Sequence, residues 1–154
     1  MGMDQRYTDI HFRKRKALAA NPKVCAGCRT CEIICSLTHE GAVNPQRSRI
    51  RVKSNAFTGA FHPQICHQCS DVPCLYACPE SAIRIDESLG IAVIEDEKCT
   101  GCRACEKACP FKVIGYAEEK KKALKCDLCQ GTPQCVAWCP VNALGVTDFG
   151  GEIP

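Results

Sequence analysis

A loop-rich α+β fold of short strands and short helices, organised around bound metal, is predicted by three observations. Cysteine accounts for 16 of 154 residues, several times ordinary usage. With cysteine set aside, apolar residues fall to roughly a third of the chain, little for a domain that must build its own core. The sixteen cysteines also fall into four groups of four with none left over. Something other than side-chain packing has to hold such a chain together, and the choices are disulfides or metal.

Compartment separates the two. The chain opens polar and basic, and its only early apolar run is the short Ala17, Leu18, Ala19 and Ala20. It shows no secretory pattern and no apolar run that could span a bilayer. The expected location is the cytoplasm, where thiols stay reduced and dense cysteine reads as metal ligation. The formal charge of +3 is too mild to argue for nucleic acid. Anionic metal clusters would change that charge in any case. Neither nucleic acid nor membrane is an expected partner.

The elements follow in chain order. Residues 1–23 form a basic arm carrying Arg6, Arg13, Lys14, Arg15, Lys16 and Lys23. Group one is Cys25, Cys28, Cys31 and Cys35, spaced C-x2-C-x2-C-x3-C. A helix is predicted over residues 30–39, closed by Gly41. The stretch between Cys35 and Cys66 holds Pro45, a predicted strand over 50–53 and Gly59, and reads as an ordered insertion. Group two is Cys66, Cys69, Cys74 and Cys78, spaced C-x2-C-x4-C-x3-C-P. Two strands, 82–86 and 91–95, are joined through Gly90. Group three is Cys99, Cys102, Cys105 and Cys109, spaced C-x2-C-x2-C-x3-C-P, the bacterial ferredoxin run in full. The charged run 118–122 reads as a solvated loop or helix face. Group four is Cys126, Cys129, Cys135 and Cys139, spaced C-x2-C-x5-C-x3-C-P.

Thiolates at i, i+3 and i+6 on one loop can reach three irons of a cubane, with backbone N–H groups turned toward its sulfurs. Gly27 and Gly101 precede the second ligand of groups one and three, where a missing Cβ would allow close approach. Gln68 and Leu128 hold that place in the other groups. The fourth Cys is expected on a short helical turn ended by Pro79, Pro110 or Pro140, pointing toward a second cluster. Group one has Ser36 instead of proline. After each proline the chain repeats a turn feeding a short strand.

Zinc ribbons use separated C-x2-C knuckles, unlike these quartets, and a disulfide scaffold would need eight bridges. A [3Fe–4S] site usually lacks one Cys and a Rieske site replaces two with His; neither gap occurs, so four [4Fe–4S] clusters are expected. His67 lies beside the group-two loop and faces the surface or donates to a cluster sulfur. His11, His39 and His62 have no ligand context.

The order of the quartets resembles the four-cluster ferredoxin-type electron-transfer subunits of molybdenum and tungsten oxidoreductases. The ending carries the likeness in Cys126-Asp127-Leu128-Cys129-Gln130-Gly131 and Cys135-Val136-Ala137-Trp138-Cys139-Pro140. The opening from Cys25 to Ser36 resembles a narrower branch, the small subunits of tungsten aldehyde oxidoreductases, with the class II benzoyl-CoA reductase small subunit as a close relative. The resemblance implies a duplicated bacterial-ferredoxin-like fold over residues 24–146, with 147–154 as a tail. Groups two and three would form one half, and groups one and four the other.

It also implies crossed ligand sets. Cys66, Cys69, Cys74 and Cys109 would hold one cluster, and Cys99, Cys102, Cys105 and Cys78 the second. Cys25, Cys28, Cys31 and Cys139 would hold the third, and Cys126, Cys129, Cys135 and Cys35 the fourth.

No P-loop, dinucleotide fingerprint or open ligand place is present, so the chain reads as a non-catalytic electron carrier. The resemblance implies a large tungstopterin catalytic subunit as partner, together with a flavin- or NAD(H)-linked subunit or a ferredoxin. The alternatives are a benzoyl-CoA reductase, hydrogenase, carbon monoxide dehydrogenase or molybdenum reductase partner, or a free polyferredoxin. The basic arm is expected to pack on a partner, including a further copy of the chain.

Overall fold

Asp86 accepts hydrogen bonds from the N–H groups of Ser88 (2.9 Å) and Leu89 (3.2 Å), and this side-chain turn closes a hairpin. Its strands are β4 (Ile83–Asp86) and β5 (Ile91–Ile94). Ile83 and Ile85 point inward while Arg84 points out, the alternation of a half-buried strand. The computed structural model describes residues 15–148, and within them four such antiparallel pairs occur. β1 (Lys16–Ala20) pairs with β8 (Leu144–Asp148). β2 (Arg51–Ser54) pairs with β3 (Phe61–Gln64), and β6 (Gly115–Ala117) with β7 (Lys122–Leu124).

Helices lie between the hairpins. α1 (Thr30–Glu40) ends at Gly41, whose left-handed backbone lets its N–H reach the Leu37 carbonyl. α2 (Pro73–Tyr76), α3 (Ala104–Ala108) and α4 (Gln134–Ala137) are single turns. α1 packs on α4, and α2 on α3. Groups one and four are thereby neighbours, and so are groups two and three. The result is a small α+β ferredoxin-like fold of short strands and helices. No helix among the described residues is long and apolar enough to cross a membrane.

Two apolar clusters form the core, and cysteines are members of both. One gathers Leu18, Ile50, Val52, Ile65, Ile91, Leu128 and Leu144 around Cys31, Cys35 and Cys135. The other gathers Val72, Ile83, Ile85, Ala92, Ile114 and Ala123 around Cys74, Cys105 and Cys109.

Four expectations need adjustment. The expected arm is shorter than 1–23, because Ala17, Leu18 and Ala19 are buried and residues 16–20 pair with the last strand; residues 1–14 lie outside the described residues. The expected tail likewise gives up residues 147 and 148 to β8, and 149–154 lie outside. The charged run 118–122 is the turn of the β6–β7 hairpin, with Lys122 entering β7. Finally, the helical turns carry the third cysteine rather than the fourth. Cys74, Cys105 and Cys135 lie within α2, α3 and α4, while Cys78, Cys109 and Cys139 follow them. Proline ends the turn too early for the fourth ligand to belong to it. In group one no proline intervenes, and Cys31 and Cys35 both lie within α1.

Candidate iron–sulfur site

The ligand loops share a backbone shape that their residue types conceal. The residue before the second cysteine is left-handed in all four groups: Gly27 (φ 68°), Gln68 (φ 46°), Gly101 (φ 72°) and Leu128 (φ 54°). Arg29, Val72 and Arg103, each two residues before a third cysteine, are left-handed as well. So are Ser81, Lys112 and Asn142, each three residues after a fourth cysteine. Alternating right- and left-handed residues turn successive N–H groups to one side and make an anion-binding concavity. The two glycines answer a second demand. A Cβ on Gly27 would meet the Phe61 ring at 2.5 Å, and one on Gly101 would run into the Lys121 carbonyl oxygen. They make room for the neighbouring hairpins.

All sixteen cysteines are free thiols. Backbone N–H groups donate to the sulfurs, among them Ala82 to Cys78 (3.3 Å), Ala143 to Cys139 (3.2 Å) and Arg49 to Cys35 (3.3 Å). Such bonds stabilise thiolate and tune a bound cluster. One cavity is lined by Cys66, Cys69, Cys74 and Cys109, and another by Cys78, Cys99, Cys102 and Cys105. Four soft thiol donors around one cavity suit an iron–sulfur cluster.

Electrostatics links the same groups. Burial, with the charges of Cys66, Asp71, Cys109 and Cys74, pushes the Cys69 thiol up to about 11. Burial, with Cys99, Cys78 and Cys102, pushes Cys105 up to about 11. Cys31 rises to about 12 through burial, Glu32, Cys28 and Cys25. Cys135 rises to about 12 through burial, Cys35, Cys129 and Cys31. Crowded, desolvated thiols of this kind resist ionisation until a cation takes up their charge. Across the two halves, Cys126 is raised by burial and next by Cys66. Cys139 packs on the same apolar cluster as Cys25 and Cys31. Cys28 and Cys102 are the exposed thiols of the sixteen.

Several polar residues at the site escape the cysteine pattern. His39 Nδ1 lies 2.9 Å from the Cys35 carbonyl and Nε2 lies 2.8 Å from Asp127 Oδ1. The Asp127 bond and then the Cys35 thiol raise His39 to about 10. Burial alone would raise Cys35, but bonds from His39, Arg49 N–H and Ser48 bring it down. Ligand atoms of His39, Asp127 and Cys129 lie within 4.8 Å of one another. His39 thus sits one helical turn after Cys35 and is held there by hydrogen bonds to Cys35 and Asp127. His67 stacks on Phe111 at 4.0 Å.

Lys125 is buried, with Nζ bonded to Gln68 Oε1 (3.0 Å) and the Ala92 carbonyl. Burial works against its charge, but the Cys66, Cys74 and Cys126 thiols raise it above the ordinary lysine value. No cysteine motif signals it.

A fold of short hairpins and single-turn helices around quartets of free thiols defines a ferredoxin-type iron–sulfur electron-transfer protein. Residues 57–149 match the 4Fe-4S dicluster domain family, and the chain belongs to that family. It is 46% identical over 127 residues to the polyferredoxin-like subunit of the aliphatic sulfonate oxidoreductase of Pyrococcus furiosus, covering 82% of this chain and 73% of that protein. It is 30% identical to the electron transport protein HydN of Escherichia coli, covering 85% and 87%. Among solved structures it resembles a chain of the active site complex BamBC of benzoyl coenzyme A reductase with benzoyl-CoA, at 30% identity and a TM-score of 0.51, covering 86% of this chain and 78% of that one.

Proposed function

We propose that the chain is the electron-transfer subunit of an oxidoreductase complex. It would carry four [4Fe–4S] clusters between a tungstopterin catalytic subunit of the aldehyde oxidoreductase type and a second redox partner. The catalytic chemistry belongs to the partner, and this chain supplies the path. The second partner is a flavin- or NAD(H)-linked subunit or a ferredoxin, and the complex is cytoplasmic.

The four ligand sets are the crossed ones, each fourth cysteine reaching into its neighbour's cluster. The cavities shared by Cys66, Cys69, Cys74 with Cys109, and by Cys99, Cys102, Cys105 with Cys78, support two of them. The charges of Cys35 and Cys129 at Cys135 support a third. When bound, each cluster takes up and returns a single electron.

The observation that carries the reading is the distribution of exposure. Gln68, between Cys66 and Cys69, donates to the Cys126 carbonyl (3.0 Å), and Cys66 acts on Cys126 across the two halves, which supports placing their two ligand sets in the middle of the chain of sites. The exposed thiols, Cys28 and Cys102, belong to the other two sets, which then form the ends. Two exposed ends joined through a buried middle fit a path between two docking partners. A shuttle that meets one partner at a time needs only one.

A benzoyl-CoA reductase-type catalytic partner is the second reading, favoured by the likeness to that complex. The deciding experiment isolates the native complex and measures its subunits, tungsten, iron and flavin. The proposal expects tungsten in a copurifying large subunit and about 16 iron per small subunit. A monomer that copurifies with nothing overturns it, as does molybdenum in place of tungsten. Turnover of aldehydes but not of aromatic CoA thioesters favours the first catalytic partner over the second.

A further inference from the structure

At the seam between the two halves lies a small buried network that no ligand assignment uses. Gln68 is 2% exposed, and its amide bridges three segments. Nε2 donates to the Cys126 carbonyl (3.0 Å), while Oε1 accepts from Ala92 N–H (3.1 Å) and from Lys125 Nζ (3.0 Å). Lys125 adds bonds to the Ala92 and Cys126 carbonyls (the latter at 3.5 Å). Its oxygen acceptors are all neutral, the Cys66 thiol is a further partner, and among the described residues no carboxylate pairs with it. The buried carboxylates, by contrast, have cations: Glu32 has Arg29 within 3.5 Å and Glu40 has Arg49 at 3.0 Å. A desolvated ammonium is expensive to bury without a counter-charge. The nearest anionic candidates are ligands: Lys125 lines the cavity of Cys66, Cys69, Cys74 and Cys109, and it directly precedes Cys126.

We propose that Lys125 is a fixed positive charge set between the two middle cluster sites, which raises both reduction potentials so that an electron crossing between the halves finds its lowest-energy positions there. This inference rests on the ligand sets proposed above. A reduced cluster carries one more negative charge than an oxidised one, so a nearby buried cation favours the reduced state. Low local dielectric strengthens the effect, and bulk salt screens it little. Gln68 is a positioning residue, because its amide oxygen orients the ammonium without neutralising it. The stronger effect falls on the site of Cys66, Cys69, Cys74 and Cys109, whose cavity Lys125 lines; the weaker falls on the site of Cys126, Cys129, Cys135 and Cys35. The end sites lie outside its immediate surroundings.

The test is a redox titration of the purified complex followed by electron paramagnetic resonance. Signals of the first middle site are assigned from a Cys69→Ser variant. Lys125→Met is expected to lower the potential of that site, with roughly a tenfold fall in its reduced-to-oxidised ratio at the wild-type midpoint, about 59 mV for one electron. The second middle site moves the same way by less, and the end sites stay in place. Lys125→Arg keeps the charge and restores most of the shift. Gln68→Glu puts a carboxylate beside Nζ and lowers the same two potentials with the lysine retained; it decides the matter if Lys125→Met fails to assemble. Unmoved potentials in Gln68→Glu, equal shifts at all four sites, or an arginine variant as shifted as the methionine one would each overturn the role of Lys125. Fewer than four clusters in the unaltered protein would overturn the ligand sets themselves, and this inference with them.

Discussion

Groups one and three have the same cysteine spacing and solve the same problem differently. In group three the helical turn α3 stops at Ala108, Cys109 follows in extended conformation, and Pro110 prevents any continuation. In group one Ser36 stands where the proline would be, so the helix runs on to Glu40 and keeps Cys35 within it. Ser36 is completely buried. Its hydroxyl donates to the Ile33 carbonyl (2.9 Å) and accepts from Asn44 N–H (3.1 Å).

The sulfur's N–H donor changes accordingly. Cys78 and Cys139, which precede prolines, receive theirs from residues four positions on, whereas Cys35 receives one from Arg49. The insertion does this work. Its strand β2 is tied down by Val52 N–H donating to buried Glu32 (2.6 Å), and Phe61 of β3 fills the space over Gly27. The fourth cysteine without a following proline takes its N–H donor from distant sequence, whereas Cys78 and Cys139 take theirs from just beyond their prolines.

The largest expected effect tests what both groups share. Cysteines stand in both apolar clusters, so complete removal of iron is expected to abolish cooperative structure. A native circular dichroism spectrum retained by the iron-free chain would contradict this.

Cys78→Ser comes next. It is expected to alter the spectrum of the cluster bound mainly by Cys99, Cys102 and Cys105, not the one bound by Cys66 and Cys69. Loss of the latter signal instead would disprove the crossing.

Exchanging the terminators probes the contrast directly. Ser36→Pro places proline inside α1 and is expected to cost about 3 kcal/mol or more. Pro110→Ser relaxes a turn and should cost only about 0.4–1 kcal/mol. Thermal loss of visible cluster absorption would rank them, and equal midpoints would remove the distinction drawn between the two loops.

The glycines sharpen it at a smaller scale. Gly101→Ala meets a rigid carbonyl and is expected to cost about 3 kcal/mol. Gly27→Ala carries the same left-handed penalty but meets the movable Phe61 ring, and should cost about 1–2 kcal/mol. The reverse order in the same melting assay would show that the Phe61 packing is the less forgiving of the two.

Much of this molecule is legible in the sequence because ligand spacing is a local constraint. The four quartets, the helix beginning at Thr30 and ending at Gly41, and the hairpin around Gly90 follow from neighbours within a few residues. The left-handed positions are only half legible. Glycine advertises them at 27 and 101, but Gln68 and Leu128 adopt the same conformation with ordinary side chains. There the ligand loop and buried packing impose a backbone shape that local preference would not choose.

The remaining features come from chain segments far apart in sequence. Strand β1 depends on β8, which lies at the other end of the chain. His39 meets Asp127, and Gln68 meets Lys125, only when the halves close. The cysteine spacing by itself pointed to iron–sulfur chemistry and to the four-part organisation, because each loop of thiols must wrap its own site. Tertiary structure alone decided which thiols face one another, which thiols are exposed and where the buried cation lies, because burial and charge depend on distances between segments that no local spacing encodes.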